Sequence, residues 1–503
     1  MQFELDDGTG RKPRNKQQSD FLKWVESNWG PEIDAHAPQK TPTILAGQLP
    51  TGVGKSWLAT AIQRPTNAAI IVPSNILMDY TYCHTYPWVN ALKGKTHYTC
   101  KTTPEFNCAE AQEVLKQDAC DGCPYTAARR AAICGAATFY NPMSLFYAQR
   151  VPNFTRPSVI IVDEAHQLKD MLLLISGKSF RKGKYDYPET TSEVEIILWL
   201  KKQVAIVSRL LDLALEEHDM DKVKELSKEL DGLWNTCKGL EESPQNYSIH
   251  ISEGLHRGKP EFYLNVTPIE PPRFLVNALL DCDKLILMSA TLSHIDIKAL
   301  VGGKPYRYID MPSPIPVANR TIFYRPTKFE MNYRTNPEHI VKYLEALLAE
   351  PENKGLNTII HVSYGLARKL KEFFTIPIIT HEQADKNDAF EFFKAEGGVF
   401  LASGFAEGID LKDDLCRLNI IPVISKMNVF DPPVKKRMAW ADGKRWYACE
   451  QIKTLVQQAG RSTRHEKDKS RIIVCDPAFP RLIIANSKDV PKSFNEAINW
   501  KGK

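Results

Sequence analysis

Lys55 and Ser56 close the run Pro50-Thr51-Gly52-Val53-Gly54-Lys55-Ser56. Glycines at 52 and 54 let successive backbone N–H groups, through Thr51 and Val53, turn inward on phosphate oxygens. A helix starting there adds the positive end of its dipole, a lysine reaches the β and γ oxygens, and a serine hydroxyl can ligate Mg²⁺. Leu49 replaces the consensus first glycine, so the strict pattern fails by one residue. A chance match is the competing reading of so short a run, and a strand before it and a helix after it weigh against chance.

A second chemical group is Asp163-Glu164-Ala165-His166, directly after Val159-Ile160-Ile161-Val162. Carboxylates at the C-terminal end of a buried parallel strand stand where α/β sheets bind ligands. Asp163 would hold Mg²⁺ through water and Glu164 would polarise a water for in-line attack on a γ-phosphate. The bland alternative is an acidic pair that caps the next helix. Further on, Gln457-Gln458-Ala459-Gly460-Arg461-Ser462-Thr463-Arg464 sets two arginines three apart, on one face if helical. Guanidinium forks suit the charge spread over a transferring phosphoryl group, and surface ion pairing is the alternative.

Five of the eleven cysteines crowd into 100–134. An odd number in a long chain argues for a reducing compartment and a local thiolate site rather than a disulfide framework. Cys100, Cys108, Cys120 and Cys123 are separated by 7, 11 and 2 residues, a spacing that suits either zinc or an iron–sulfur cluster. Cys83 and Cys134 read as packed thiols, with Cys134 the stand-in ligand of the two. Cys237, Cys282, Cys416, Cys449 and Cys475 are scattered and read as core.

These groups need elements to hold them. Short apolar runs recur at 43–46, 69–72, 159–162, 285–288, 358–362, 399–401, 420–423 and 472–474, separated by helical stretches. Uninterrupted runs of this kind read as central parallel strands buried on both faces, so the fold class is α/β with two sheets. Two stretches break the rhythm. Residues 83–135 lack strands and mix the cysteines with aromatics; residues 171–247 carry 3-and-4 apolar spacing, which predicts two antiparallel helices joined near Glu216-Glu217-His218-Asp219. The chain has 503 residues, 43% hydrophobic and 25% charged, enough for three or four cored units and too apolar for a mainly disordered chain. A formal net charge of +5 gives no basic tail, so any polyanion site is a local groove. Lys201, Lys202 and Arg209 interrupt the most apolar helical region, and no signal peptide or membrane span is expected.

Assembled in order, the motifs resemble those of superfamily-2 helicases, and within them the iron–sulfur XPD/DinG family. Arg14 and Gln17 resemble its adenine-side motif, PTGVGKS its motif I, Ile71–Asn75 its motif Ia and DEAH its motif II. Met288-Ser289-Ala290-Thr291-Leu292 resembles motif III, Ser403–Leu411 with Gly408 and Asp410 motif V, and QQAGRSTR motif VI. In this family the position of Leu49 is commonly not glycine. The resemblance implies two RecA-like domains closing on ATP and Mg²⁺. Residues 1–82, 136–170 and 248–303 would form the first and 304–503 the second, with a cluster domain at 83–135 and a helical arch at 171–247. Cys123-Pro124-Tyr125 and the run Lys93-Gly94-Lys95-Thr96-His97-Tyr98-Thr99-Cys100 match the family's ligand contexts, so the resemblance favours a 4Fe-4S cluster on Cys100, Cys108, Cys120 and Cys123 over zinc. It also implies a monomer in the cytoplasm, or in a host's cytoplasm for a viral protein, that acts on single-stranded and forked DNA and moves 5′ to 3′. The chain is short for the family, and no extra N-terminal nuclease domain is expected.

Within the cluster insert, Lys93, Lys95, Arg129 and Arg130 could meet phosphates and aromatics could lie under bases, with a purely structural insert as the alternative. The run Lys435-Lys436-Arg437 reads as a solvated face, with a face near the strand track of the second motor domain as the alternative. Two competing functions are carried: an ATPase stimulated by nucleic acid that remodels protein–nucleic-acid complexes or RNA–DNA hybrids, and a cluster-bearing scaffold with a decayed motor. Lys55, Asp163, Glu164, Arg461 and Arg464 together argue against decay.

Overall fold

The computed structural model describes residues 9–30, 42–115, 122–332, 334–405, 411 and 413–500. Two parallel sheets organise it. The first has seven strands in the order Arg307–Asp310, Thr43–Gln48, Lys284–Ser289, Val159–Val162, Ala69–Ile71, Thr138–Tyr140 and Asn90–Leu92. Alternate residues of its central strands feed separate cores. Ile44, Ile160, Val162, Leu285 and Leu287 pack on one face, and Leu45, Ile161, Ile286 and Met288 on the other. Burial on both faces is why these strands read as unbroken apolar runs.

The second sheet has six parallel strands: Val399–Ala402, Thr358–His361, Leu418–Ile421, Arg471–Val474, Ile322–Tyr324 and Ile498–Asn499. Its faces are likewise filled, by Ile360, Ile420 and Ile473 on one side and Ile322, Ile472 and Val474 on another. All eight expected strands are present. Arg307–Asp310, however, pairs in parallel with Thr43–Gln48, so the chain stays in the first sheet beyond residue 303.

Two further differences bear on function. Asn90–Leu92 lies in the stretch expected to lack strands and pairs with Thr138–Tyr140 at the edge of the first sheet. The helical stretch does form the helices Glu193–Glu216 and Met220–Glu242, but they share a core with an antiparallel sheet. That sheet pairs Lys178–Arg181 and Tyr247–His256 with Lys259–Pro268, and Phe180, Trp199, Leu233, Tyr247 and Leu264 fill its core. The unit therefore extends past residue 247 to Pro268. Among the described residues no helix is long and apolar enough to cross a membrane.

Candidate active site between the two sheets

Thr43–Gln48, Lys284–Ser289 and Val159–Val162 are neighbours in register, with Gln48 opposite Ser289 and Val162 opposite Leu287. Parallel pairing brings the loops after them to one edge. Leu49 N–H donates to the Ser289 carbonyl at 2.7 Å and fixes where the glycine loop starts. The loop leads into the helix Lys55–Thr66, and its Gly54 has φ +87°. That left-handed backbone angle favours glycine, and a Cβ there would fall 2.6 Å from Gln18 Nε2, the end of a flexible side chain that would have to shift.

Lys55 Nζ lies 3.1 Å from Glu164 Oε1. Ser56 Oγ lies 3.4 Å from Asp163 Oδ2, and the Glu164 N–H donates to Asp163 Oδ1 at 2.9 Å. Glu164 sits at φ +47°, a left-handed turn that carries the chain from strand end to helix Ala165–Ser176. Burial, and then the Glu164 charge, push the Asp163 carboxyl up from the ordinary 3.8 against the pull of Lys55. Burial also acts to raise Glu164, but Lys55, His166 and Arg461 outweigh it and hold that carboxyl at about 2. Glu164 is thus an anion at any working pH.

His166 joins the two sheets. Its Nδ1 lies 2.7 Å from Ser289 Oγ and its Nε2 lies 2.8 Å from Gln457 Nε2. With the amide donating to Nε2, the ring proton sits on Nδ1, facing Ser289 and, at 3.5 Å, Glu164 Oε2. Gln457 rides near the end of the helix Gly443–Ala459. That helix stops at Gly460, so Arg461 and Arg464 stand in the turn beyond it rather than on one helical face. The turn is held by the Arg464 N–H donating 2.9 Å to Asp468 Oδ2. Thr51, Lys55, Glu164 and His166 from the first half and Gln457, Arg461 and Arg464 from the second line one cleft of about 420 Å³.

Of the other expected residues, Arg14 donates to the Gly52 carbonyl at 2.7 Å and Gln17 Nε2 to the Ser313 carbonyl at 3.4 Å. Arg14 thus stands beside the glycine loop. Gly408, Asp410 and Cys120 lie outside the described residues. Two contributors were missed from sequence: Gln18, buried against Gly54, and Tyr82, whose hydroxyl donates to Asp163 at 2.7 Å. Nothing local marks Tyr82, because its partner is 81 residues away.

The helicase C-terminal domain family model matches residues 357–496, the stretch that includes Gln457, Arg461 and Arg464. Two curated relatives are similar. The ATP-dependent DNA helicase YoaA of Escherichia coli is 25% identical over 209 residues, 38% of this chain, and that of Haemophilus influenzae is 26% identical over 345 residues, 63% of this chain. The chain spans 32% and 51% of their lengths. In fold it matches a solved XPD helicase at TM-score 0.60 and 16% identity, covering 96% of this chain and 98% of that one. It matches the S. tokodaii Xpd4 structure at 0.55 and 13%, covering 96% and 99%. The chain carries a helicase C-terminal domain over residues 357–496 and shares the fold of solved XPD helicases.

The cysteine region of the chain is organised by a small turn. Cys100 N–H donates to Phe106 O at 3.0 Å and Cys108 N–H to Tyr98 O at 2.7 Å, around a bridge between Thr99 and Asn107. Cys108 and Cys123 sulfurs lie 3.7 Å apart, and Cys100, Cys108 and Cys123 are all buried. Cys123 precedes the helix Pro124–Ile133. Burial acts to raise its thiol, but the Thr126 N–H and hydroxyl, the Cys108 thiol and the Tyr125 N–H outweigh burial and lower it. Two close, buried, unbridged thiols, Cys108 and Cys123, the latter eased toward thiolate, suit a thiolate-bound metal group, with the buried Cys100 on the same small turn as Cys108. Cys134 is exposed rather than packed, whereas Cys237, Cys282, Cys416, Cys449 and Cys475 are buried as expected.

Two expectations about basic residues are corrected. Lys93 forms an ion pair with Asp79 and is not a free phosphate contact, although Lys95, Arg129 and Arg130 are exposed. Arg437 is not on a solvated face: it is 2% exposed and bonded to Asp442 at 2.6 Å.

Proposed function

We propose that the chain is an ATP-dependent DNA helicase that moves along single-stranded DNA, 5′ to 3′, and unwinds forked duplex. The observation that carries this reading is the cleft itself, where a lysine–glutamate pair on one sheet faces two arginines on the other. Lys55 and the N-terminus of its helix would bind the phosphates. Glu164, ionised and oriented by Lys55, would accept hydrogen bonding from the attacking water. Arg461 and Arg464 would approach the γ-phosphate only when the halves close, which makes hydrolysis depend on closure. Ser56 and Asp163 would hold Mg²⁺, which when bound neutralises phosphate charge. His166 and Gln457 would report closure across the cleft.

Cys100, Cys108 and Cys123, with Cys120, would hold a 4Fe-4S cluster, which when bound crosslinks a segment that has little apolar core of its own. The likeness to named DNA helicases supports DNA as the track and an intracellular setting; a monomer is the working form in this reading. The first motor half is assigned to 9–92, 136–176 and 269–310, with the cysteine insert between 93 and 135 and the arch between 177 and 268; the second begins after 310.

A strand-displacement panel with 5′-tailed and 3′-tailed duplexes of DNA and of RNA–DNA hybrid tests the reading. ATP-dependent displacement of 5′-tailed DNA is expected. ATP turnover stimulated by single strands but without displacement on any substrate would reduce the protein to a remodelling ATPase.

A further inference from the structure

Between the strands Ala69–Ile71 and Asn90–Leu92 the chain passes through one helical segment, Asn75–Leu77, which continues as a π-turn over Met78–Cys83. A π-turn adds a residue to the repeat and re-aims the side chains on it, and such turns concentrate at functional sites. Here Asp79, Tyr80 and Tyr82 face three different surroundings. Tyr80 is 80% exposed and lines the cleft with Ser74, Leu77 and Thr81. Tyr82 has no exposed surface, and its ring packs 5.0 Å from Phe139. Asp79 pairs with Lys93 at the start of the cysteine insert.

On the nucleotide side, the Tyr82 hydroxyl donates 2.7 Å to Asp163 Oδ2, the same oxygen that Ser56 approaches at 3.4 Å. Asp163 Oδ1 is taken by the Glu164 N–H. Both oxygens of a buried carboxylate are therefore aimed by fixed donors. On the insert side, Lys93 N–H donates 3.0 Å to the Tyr98 hydroxyl, which itself donates 2.7 Å to Ala91 O. The Tyr98 carbonyl accepts from Cys108, and its ring meets Tyr125 edge-on at 5.6 Å, two residues past Cys123. Asn75 adds a second link to the insert through His97 Nε2 at 2.8 Å.

We propose that Tyr82 is a positioning residue for Asp163, and that the Asn75–Cys83 segment couples the cysteine insert to the nucleotide site through it. The inference rests on the reading of Asp163 as the metal-side carboxylate of that site. Disturbing the insert pulls on Lys93 and Asp79, turns the π-segment and withdraws the phenol that orients Asp163. The coupling runs through packed and hydrogen-bonded groups in unbroken contact, the physical form that such transmission takes.

The test is binding of a fluorescent ATP analogue by the full chain, titrated with Mg²⁺. Tyr82→Phe keeps the ring and removes the donor. Its affinity without Mg²⁺ should match the parent, while the Mg²⁺ midpoint should rise about tenfold, the scale of one hydrogen bond to a charged group. Lys93→Ala should raise the midpoint about threefold in the parent and leave it unmoved in the Tyr82→Phe background, because both changes act on one path. Additive shifts, or an unmoved midpoint in Tyr82→Phe, overturn the proposal. No nucleotide binding by the parent overturns the reading of the site and the proposal with it. If Tyr82→Phe does not fold, Lys93→Ala and Asp79→Ala must each raise the midpoint on their own, and a null result in both overturns the coupling.

Discussion

Gln457 Nε2 lies 2.8 Å from His166 Nε2, so a side chain of the second half meets the first half two residues past Glu164. His166 also touches Ser289 at 2.7 Å, which ties the contact to the strand between the glycine loop and Asp163. Gln457→Ala should leave unstimulated ATP hydrolysis within about threefold of the parent and lose most stimulation by single-stranded DNA. Undiminished stimulation would show that closure is sensed elsewhere.

Lys55→Ala or Glu164→Gln should abolish ATP turnover and leave single-strand binding largely intact, because the phosphate cleft and the strand track are different surfaces. Turnover assays paired with filter binding decide it, and normal turnover in either variant sinks the motor reading.

Arg461→Ala and Arg464→Ala should lower turnover far more than ATP affinity. An arginine acting on transition-state charge is worth ~10³ to 10⁵ in rate where it has been measured. If single-turnover kinetics show a weakened affinity with unchanged chemistry, that arginine is a ground-state contact.

Replacing Cys100, Cys108 or Cys123 by Ser should strip iron from anaerobically prepared protein, which should otherwise be brown with about four irons per chain. ATP hydrolysis should partly survive, since the insert gives the core of the first sheet only Ala132, with Tyr125 and Ala128 packed against it, among the described residues. Iron assay and absorption spectra test this. Stoichiometric zinc without iron in the parent would replace the cluster with a zinc site.

His361, buried at the end of Thr358–His361, should make the fold acid-sensitive. Burial, and then Arg461, lower its pKa from 6.5 to about 3. Between those values the unfolded chain binds a proton that the folded chain refuses, so stability is full above pH 6.5 and falls as the pH drops. At pH 5 the loss from this group is about 2 kcal/mol. Denaturant unfolding at pH 7.5 and pH 5 should show that loss in the parent and not in His361→Gln. Equal losses would place the acid sensitivity in other groups.

The central strands were legible because a strand buried on both faces must be apolar at every position, as Val159–Val162 is. Asn90–Leu92 was not, being three residues long and paired on one side only. The antiparallel hairpin was hidden for another reason. Its two-residue turn places Arg257 at φ +51° and Gly258 at φ +79°, and Arg-Gly is a weaker turn signal than Asn-Gly. The alternation Ile249, Ile251 against Leu264, Val266 was its one legible trace. Lys55, Ser56 and the Asp163-Glu164 pair were readable because phosphate chemistry fixes their spacing along the chain. Tyr82, Gln18 and the placement of the arginines beyond Gly460 depend on contacts across the fold, which no local spacing encodes.

The arch does not hang from the first half alone. Lys436, on the helix Pro432–Met438 of the second half, donates to the Tyr247 carbonyl at the base of the hairpin and pairs with Glu193 at 3.5 Å; its neighbour Arg437 reaches Glu270 at 3.5 Å. The arch is thus a strut braced at both ends. On the proposed motor reading, opening of the cleft would require that brace to slide or let go, so a load on the arch would reach the nucleotide site.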